Sequence, residues 1–156
     1  MEIKIARIDE RLVHGQVITS WCKKFSINKI VVIDDDVARD PFMSQVITLS
    51  AQAGMEIIIK EVSKALEFLK EGTASGNIML LFKNPIAVLD LVKTGYVLPE
   101  VNLGNIGSSP TRKRISKNVS LTSEEIDMVN RIIEAGTRVY LQMLPGDPQV
   151  DFSSAL

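Results

Sequence analysis

Short, β-branched apolar runs recur along this chain, and segments with helical spacing stand between most of them. Lys29–Ile33 (KIVVI) is a continuous apolar run of the kind found in strands covered on both faces. Residues 55–59 (MEIII), 77–82 (NIMLLF) and 138–143 (RVYLQM) repeat it, and residues 2–8 alternate polar and apolar positions before running into charges. A helix is expected from His14 or Gly15 to Lys24. Asp40-Pro41 starts a second, with Phe42, Val46, Leu49 and Ala53 on its inward face and Gly54 as its stop. Ser63 is expected to cap a third, with Leu66 and Leu69 inward. Asn84-Pro85 starts a fourth that ends at Gly95, and Thr122 to Glu125 reads as a capping box for a fifth that Gly136 closes.

Strands alternating with helices of about ten residues imply an α/β fold. The expected architecture is one domain over residues 1–156, a mostly parallel open sheet of about six to seven strands with helices on both faces. Residues 101–103 read as a short strand. Residues 115–119 are a candidate antiparallel strand, because no helix fits between them and their predecessor. The tail after Pro145 is expected to be loosely held.

In sheets of this type ligands bind beyond the carboxyl ends of the strands. That selects residues 9–16, 34–40, 83–85 and 104–114. Composition narrows the chemistry. Lys plus Arg number 18 and Asp plus Glu 19, a net charge of -1, so no global field grips nucleic acid or an anionic membrane. The single cysteine, Cys22, excludes an internal disulfide and multi-cysteine zinc sites, points to a reducing compartment, and reads as packing along with Trp21. No apolar run approaches the ~20 residues of a membrane helix, and residues 1–5 carry charges where a signal peptide needs an apolar core. A cytoplasmic location is expected.

The 9–16 segment holds the only histidine, His14, within RIDERLVHGQ (residues 7–16). A lone histidine is usually a surface residue. Here two arginines, Arg7 and Arg11, share its segment with Asp9. Imidazole is a nucleophile at neutral pH, and arginine forks neutralise phosphoryl oxygens. Backbone N–H groups opening a helix after Gly15 favour an anion. Asp9 is placed to orient the ring by accepting from its unreactive nitrogen. These residues describe a site that could take a phosphoryl group on histidine. The plainer alternative pairs Arg7 and Arg11 with Asp9 and Glu10 on the surface. Asp34, Asp35, Asp36 and Asp40 could hold a metal but fit a solvated loop better, and their bunching after the second strand does not match a phosphoaspartate receiver. Arg112, Lys113, Arg114 and Lys117 form a basic patch beside Ser108, Ser109 and Thr111, either a solvated face or a footprint for an acidic partner or phosphate. No dinucleotide or Walker glycine motif is present.

The run RIDERLVHGQV (residues 7–17) resembles the phosphorylation-site signature of IIB components of the phosphoenolpyruvate-dependent sugar phosphotransferase system, mannose/fructose/sorbose class. VVIDDDVA (31–38) with Asp40, LLFKNP (80–85) and VYLQM (139–143) resemble further segments of that family in the same order, so the resemblance covers nearly the whole chain. It implies a phosphocarrier with His14 phosphorylated on Nδ1. Arg11, Arg7, Asp9, Gly15 and Gln16 would stabilise the phosphoryl group, and Arg112, Lys113 and Arg114 are candidates for partner docking. No cofactor or metal is implied. The implied partners are a IIA protein as donor and membrane IIC and IID subunits with the incoming sugar as acceptor, which would hold the protein peripherally at the membrane. The sugar itself, whether mannose, fructose, sorbose or an amino sugar, is not readable. Two rival readings are a non-catalytic regulatory or protein-binding domain that kept the fold, and a metal-dependent hydrolase using residues 34–40 with His14.

Overall fold

The computed structural model describes residues 2–71 and 76–156, apart from the Gln16 side chain. Element order is β1 (Glu2–Asp9), α1 (Gly15–Phe25), β2 (Lys29–Ile33), α2 (Asp35–Ala38), α3 (Pro41–Leu49), β3 (Glu56–Lys60), α4 (Val62–Glu71), β4 (Asn77–Phe82) and α5 (Pro85–Lys93). Then come β5 (Glu100–Asn105), β6 (Lys113–Ser116), β7 (Val119–Leu121), α6 (Ser123–Glu134), β8 (Arg138–Leu141), β9 (Val150–Asp151) and α7 (Phe152–Ala155). Seven strands form one sheet in the order β3-β2-β4-β1-β5-β8-β9. All neighbours through β8 run parallel, and β9 joins antiparallel.

Strand alternation divides the core into two layers. Ile8, Val31, Leu80 and Leu103 meet Ala65 and Leu69 of α4, Val88 and Leu91 of α5, and Val129 and Ile132 of α6 on one face. Ile5, Ile30, Val32, Met79 and Leu81 meet Ile18, Trp21 and Cys22 of α1 and Ile47 of α3 on the other. Strand β1 lies between β4 and β5, yet its own connection passes to the face opposite theirs. The backbone beyond β1 is therefore the crevice where this topology binds ligands.

The expected caps at Asp40, Asn84 and Thr122 form, the last as a complete capping box. Four expectations change. Helix α4 starts at Val62, ahead of Ser63, and the Val62 N–H donates to the Asp35 carboxylate of α2 at 2.8 Å. The cap thus comes from a side chain 27 residues away. Helix α3 buries Ile47 and leaves Phe42, Val46 and Leu49 exposed, and it ends before Ala53. A helix without a charged residue has apolar positions on several sides, and periodicity alone does not choose among them.

The segment 115–119 proves to be parts of two strands. β6 and β7 form an antiparallel ribbon outside the main sheet, linked to it by a bridge from Ile106 to Val119. Finally, the tail is anchored. β9 pairs with β8, Asp151 accepts from Arg138 Nε at 2.8 Å, and Phe152 is fully buried. Burying a phenylalanine contributes about 1.5–3 kcal/mol, and the strand pairing with β8 and the Arg138–Asp151 ion pair act with it to hold the tail.

Candidate active site

Arg7 and Asp9 are two apart on β1 and so project to one face, the face covered by α1. Both are completely buried. The Arg7 guanidinium donates to Asn102 Oδ1, to the Gln142 carbonyl at 3.1 Å and to Asp9 Oδ2 at 3.2 Å, with Met143 Sδ at 3.8 Å. The Trp21 ring lies 5.3 Å from its Cζ, and the Trp21 indole N–H donates to the Met143 carbonyl. Burial pulls Arg7 below its ordinary pKa, and the Asp9 carboxylate opposes that pull. An arginine stays protonated in this setting, so a permanent cation sits beneath the β1 loop.

Asp9 organises that loop. Its Oδ1 accepts the Arg11 N–H at 3.1 Å, and its carbonyl accepts the Leu12 N–H at 2.9 Å, a turn closed by both side chain and backbone. Leu12 takes a left-handed φ of 56°, a conformation costing about 1–2 kcal/mol in a non-glycine residue; its side chain is buried in the α1 core, which offsets that cost. Gly15 has φ +40° at the first position of α1, where a side chain would be strained.

His14 occupies the N-cap position of α1 with extended backbone and makes no side-chain cap. Its Nε2 lies 3.0 Å from Asp9 Oδ2. A carboxylate oxygen only accepts, so Nε2 carries the hydrogen, and in the neutral imidazole Nδ1 is the nitrogen left with a lone pair. His14 itself stands where helical N–H groups open α1, a setting that favours negative charge. A cleft of about 250 Å³ adjoins the ring, bounded by Val13, Ile18, Ser50, Gln52 and Met55. Arg11 is exposed, and among the described residues its side chain has no hydrogen bond or ion pair. Gln16 takes the second position of α1.

The neighbouring loop is pinned to this one through Glu10. Its carboxylate accepts the Gly107 N–H at 2.9 Å and pairs with Arg112 at 3.2 Å; Arg112 also pairs with Glu125 at 3.3 Å and donates to the Gly107 carbonyl. Arg112 thus ties loops together, whereas Lys113 and Arg114 are exposed at the start of β6. Three of the four acids of 34–40 act as caps: Asp34 accepts from Val37, Asp35 from Val62, and Asp40 from Phe42 and Met43. Among the described residues no group of three or more His, Cys, Asp or Glu side chains is placed to hold a metal. Burial pushes the Cys22 thiol up to about 11, so it is a protonated packing group at neutral pH.

Sequence reasoning missed the setting of Arg7. The signal was Asn102, a polar residue between Val101 and Leu103 that is buried and accepts from the guanidinium; Gln142 contributes only its main-chain carbonyl, which any residue would supply.

Residues 3–156 match the family model described as the PTS system sorbose subfamily IIB component. The chain belongs to the sorbose subfamily of phosphotransferase-system IIB components. Such components are phosphotransferases of sugar transport. The chain is 32% identical to the fructose-specific EIIB component of Bacillus subtilis (strain 168), over 100% of its own length and 96% of that protein. It is 30% identical to the mannose-specific EIIAB component of Escherichia coli (strain K12), over 96% of this chain and 47% of the relative. The crystal structure of the IIBSor domain of the sorbose permease from Klebsiella pneumoniae superposes with a TM-score of 0.92 at 30% identity, covering 99% of this chain and 96% of that one. In the described part of this IIB chain no helix is long and apolar enough to cross a membrane.

Proposed function

We propose that His14 is the phosphoryl carrier of this IIB component, receiving the group on Nδ1 from a phosphohistidine of a IIA protein and passing it to a sugar at membrane IIC and IID subunits. The observation that carries this reading is the 3.0 Å contact from His14 Nε2 to Asp9, which leaves Nδ1 as the nucleophile. The Nδ1 lone pair attacks phosphorus in line. The donor's N–P bond breaks, its electron pair returns to the donor imidazole, and the Nε2 hydrogen stays on Asp9's side of the ring. Transfer between two nitrogens of similar basicity is nearly balanced, so the protein supplies position and charge rather than driving force.

Arg11, exposed and free to swing, neutralises the equatorial oxygens, together with the N–H groups that follow Gly15 and with Gln16 at the same helix opening. Arg7 is sealed behind Asp9 and reaches the phosphoryl group only through it. Lys113 and Arg114 remain available to a docking partner, while Arg112 serves that surface by shaping the loop. The mannose-specific EIIAB relative supports IIA as the donor. The relatives' fructose and mannose names support a hexose acceptor without choosing one. The protein would work at the cytoplasmic side of its transporter, docked rather than inserted.

Intact-mass spectrometry after incubation with phosphoenolpyruvate, the general phosphotransfer proteins and a cognate IIA tests this. One acid-labile phosphoryl group on the wild type, absent from His14→Ala, is expected. A wild type that stays unmodified beside a phosphorylated IIA rejects the carrier role.

A further inference from the structure

Gly104 lies inside β5, where a glycine weakens the strand and offers no side chain to the core. Its backbone needs no unusual φ, so the reason for glycine is space. A Cβ at this position would overlap the Arg7 Cζ and both terminal guanidinium nitrogens. Two residues earlier on the same strand face, Asn102 accepts from Arg7 and donates to the Gln142 carbonyl at 3.0 Å, the same carbonyl that Arg7 reaches. The bare backbone of Gly104 and the amide of Asn102 thus form a fitted seat for a fully buried cation, with Trp21 against the guanidinium.

The seat matters because of what Arg7 holds. Asp9 Oδ2 is shared between Arg7 at 3.2 Å and His14 at 3.0 Å. A buried carboxylate stays ionised and fixed only while it is paired. We propose that Gly104 and Asn102 are positioning residues for phosphoryl transfer: they seat Arg7 so that it holds Asp9, and Asp9 then holds His14 with Nδ1 presented. This rests on the reading of His14 as the phosphoryl acceptor. The chain of contacts runs from β5 through β1 to the helix opening and touches the reacting atoms only at its end.

His14 is the single histidine, so its ring nitrogens are unambiguous in long-range 1H–15N spectra. Those spectra and the rate of phosphoryl gain from phosphorylated IIA are read on wild type, Gly104→Ala, Asn102→Ala, and Gly104→Ala combined with Arg7→Lys. Wild type should show the Nε2–H tautomer. Gly104→Ala, which displaces the guanidinium, should mix the tautomers and slow transfer on the order of a hundredfold, the scale of an ångström misplacement. Asn102→Ala should move both readouts the same way by a smaller factor. The slimmer lysine leaves room for the added methyl and keeps a cation with three donors beside Asp9, so the double variant should regain part of the Nε2–H tautomer and part of the rate lost in Gly104→Ala, short of wild type because an ammonium lacks the guanidinium's planar fork.

Thermal melts identify a variant that does not fold; if that is Gly104→Ala, Asn102→Ala decides. Wild-type rate, or a slowed rate with the tautomer unchanged, in a folded variant overturns the positioning role. A wild type that gains no phosphoryl group overturns the carrier reading instead, and the tautomer spectra still report whether the seat fixes His14.

Discussion

His14 Nε2 stands 3.0 Å from Asp9 Oδ2, and that one oxygen also takes a hydrogen bond from the buried Arg7 guanidinium. The imidazole is therefore held by a carboxylate that cannot leave without stranding a cation inside the protein. Stability and ring orientation depend on the same group.

Asp9→Asn is nearly isosteric but removes the charge that compensates Arg7. Breaking one side of a fully buried ion pair costs about 3–5 kcal/mol, and urea unfolding should show a loss of that size. Transfer from phosphorylated IIA should slow as well, since an amide no longer selects one tautomer. A loss below about 1 kcal/mol would mean that Arg7's other partners suffice.

Arg11→Ala separates function from stability. Its side chain is exposed and, among the described residues, has no hydrogen bond or ion pair to lose, so the unfolding free energy should stay within about 0.5 kcal/mol of wild type. Phosphoryl transfer should fall by on the order of a hundredfold, as for removal of one electrostatic stabiliser. Single-turnover kinetics with excess phosphorylated IIA reads this directly, and an unchanged rate excludes Arg11 from the reaction.

Alkaline pH should lower the protein's stability over two overlapping ranges. Burial raises the Cys22 thiol from 9.0 to about 11. Burial, reinforced by Glu100 against weaker opposition from Arg138 and Arg7, raises Tyr140 from 10.0 to about 12. Each group is neutral in the fold over a range where the unfolded chain has already lost its proton. Their contributions are complete below pH 9 and 10 respectively, and are lost as pH rises through about 11 and 12. Urea midpoints should thus fall from pH 9 upward, and Cys22→Ala should flatten the first part of the decline.

Phe152→Ala should cost about 3–5 kcal/mol, the range for emptying a buried aromatic site. Thermal denaturation would show it. A shift near zero would mean that β9 and α7 do not contribute to the core as their burial indicates.

The parts of the fold that were legible depend on neighbours close in the chain. Apolar runs of four and five residues marked β2 and β4, and helix starts at Asp40, Asn84 and Thr122 follow from side chains reaching N–H groups two or three residues on. The same locality made Arg7 and Asp9 face one way and put His14 at a helix opening. Where two local solutions are equally good, local order does not choose between them. Helix α3 offered Phe42, Val46 and Leu49 as readily as Ile47, and only the packing against β2 and β3 settled which is buried. Ser63 was a sound cap by type, but Asp35 reached the helix end first.

By itself, then, the sequence determined the alternation of strands and helices, the loop beyond the first strand, and the residue types gathered around the only histidine. Tertiary structure decided what those residues touch. Arg7 meets Asn102 and Gln142 at separations of 95 and 135 residues, contacts that exist only because β5 and β8 follow β1 in the sheet. Arg112 reaches Glu10 across 102 residues and becomes a tie between loops. Hydrogen bonds of a few residues' reach are written in local order. The burial of a charge is not, because it requires every acceptor around it to be delivered by a strand order that no single segment encodes.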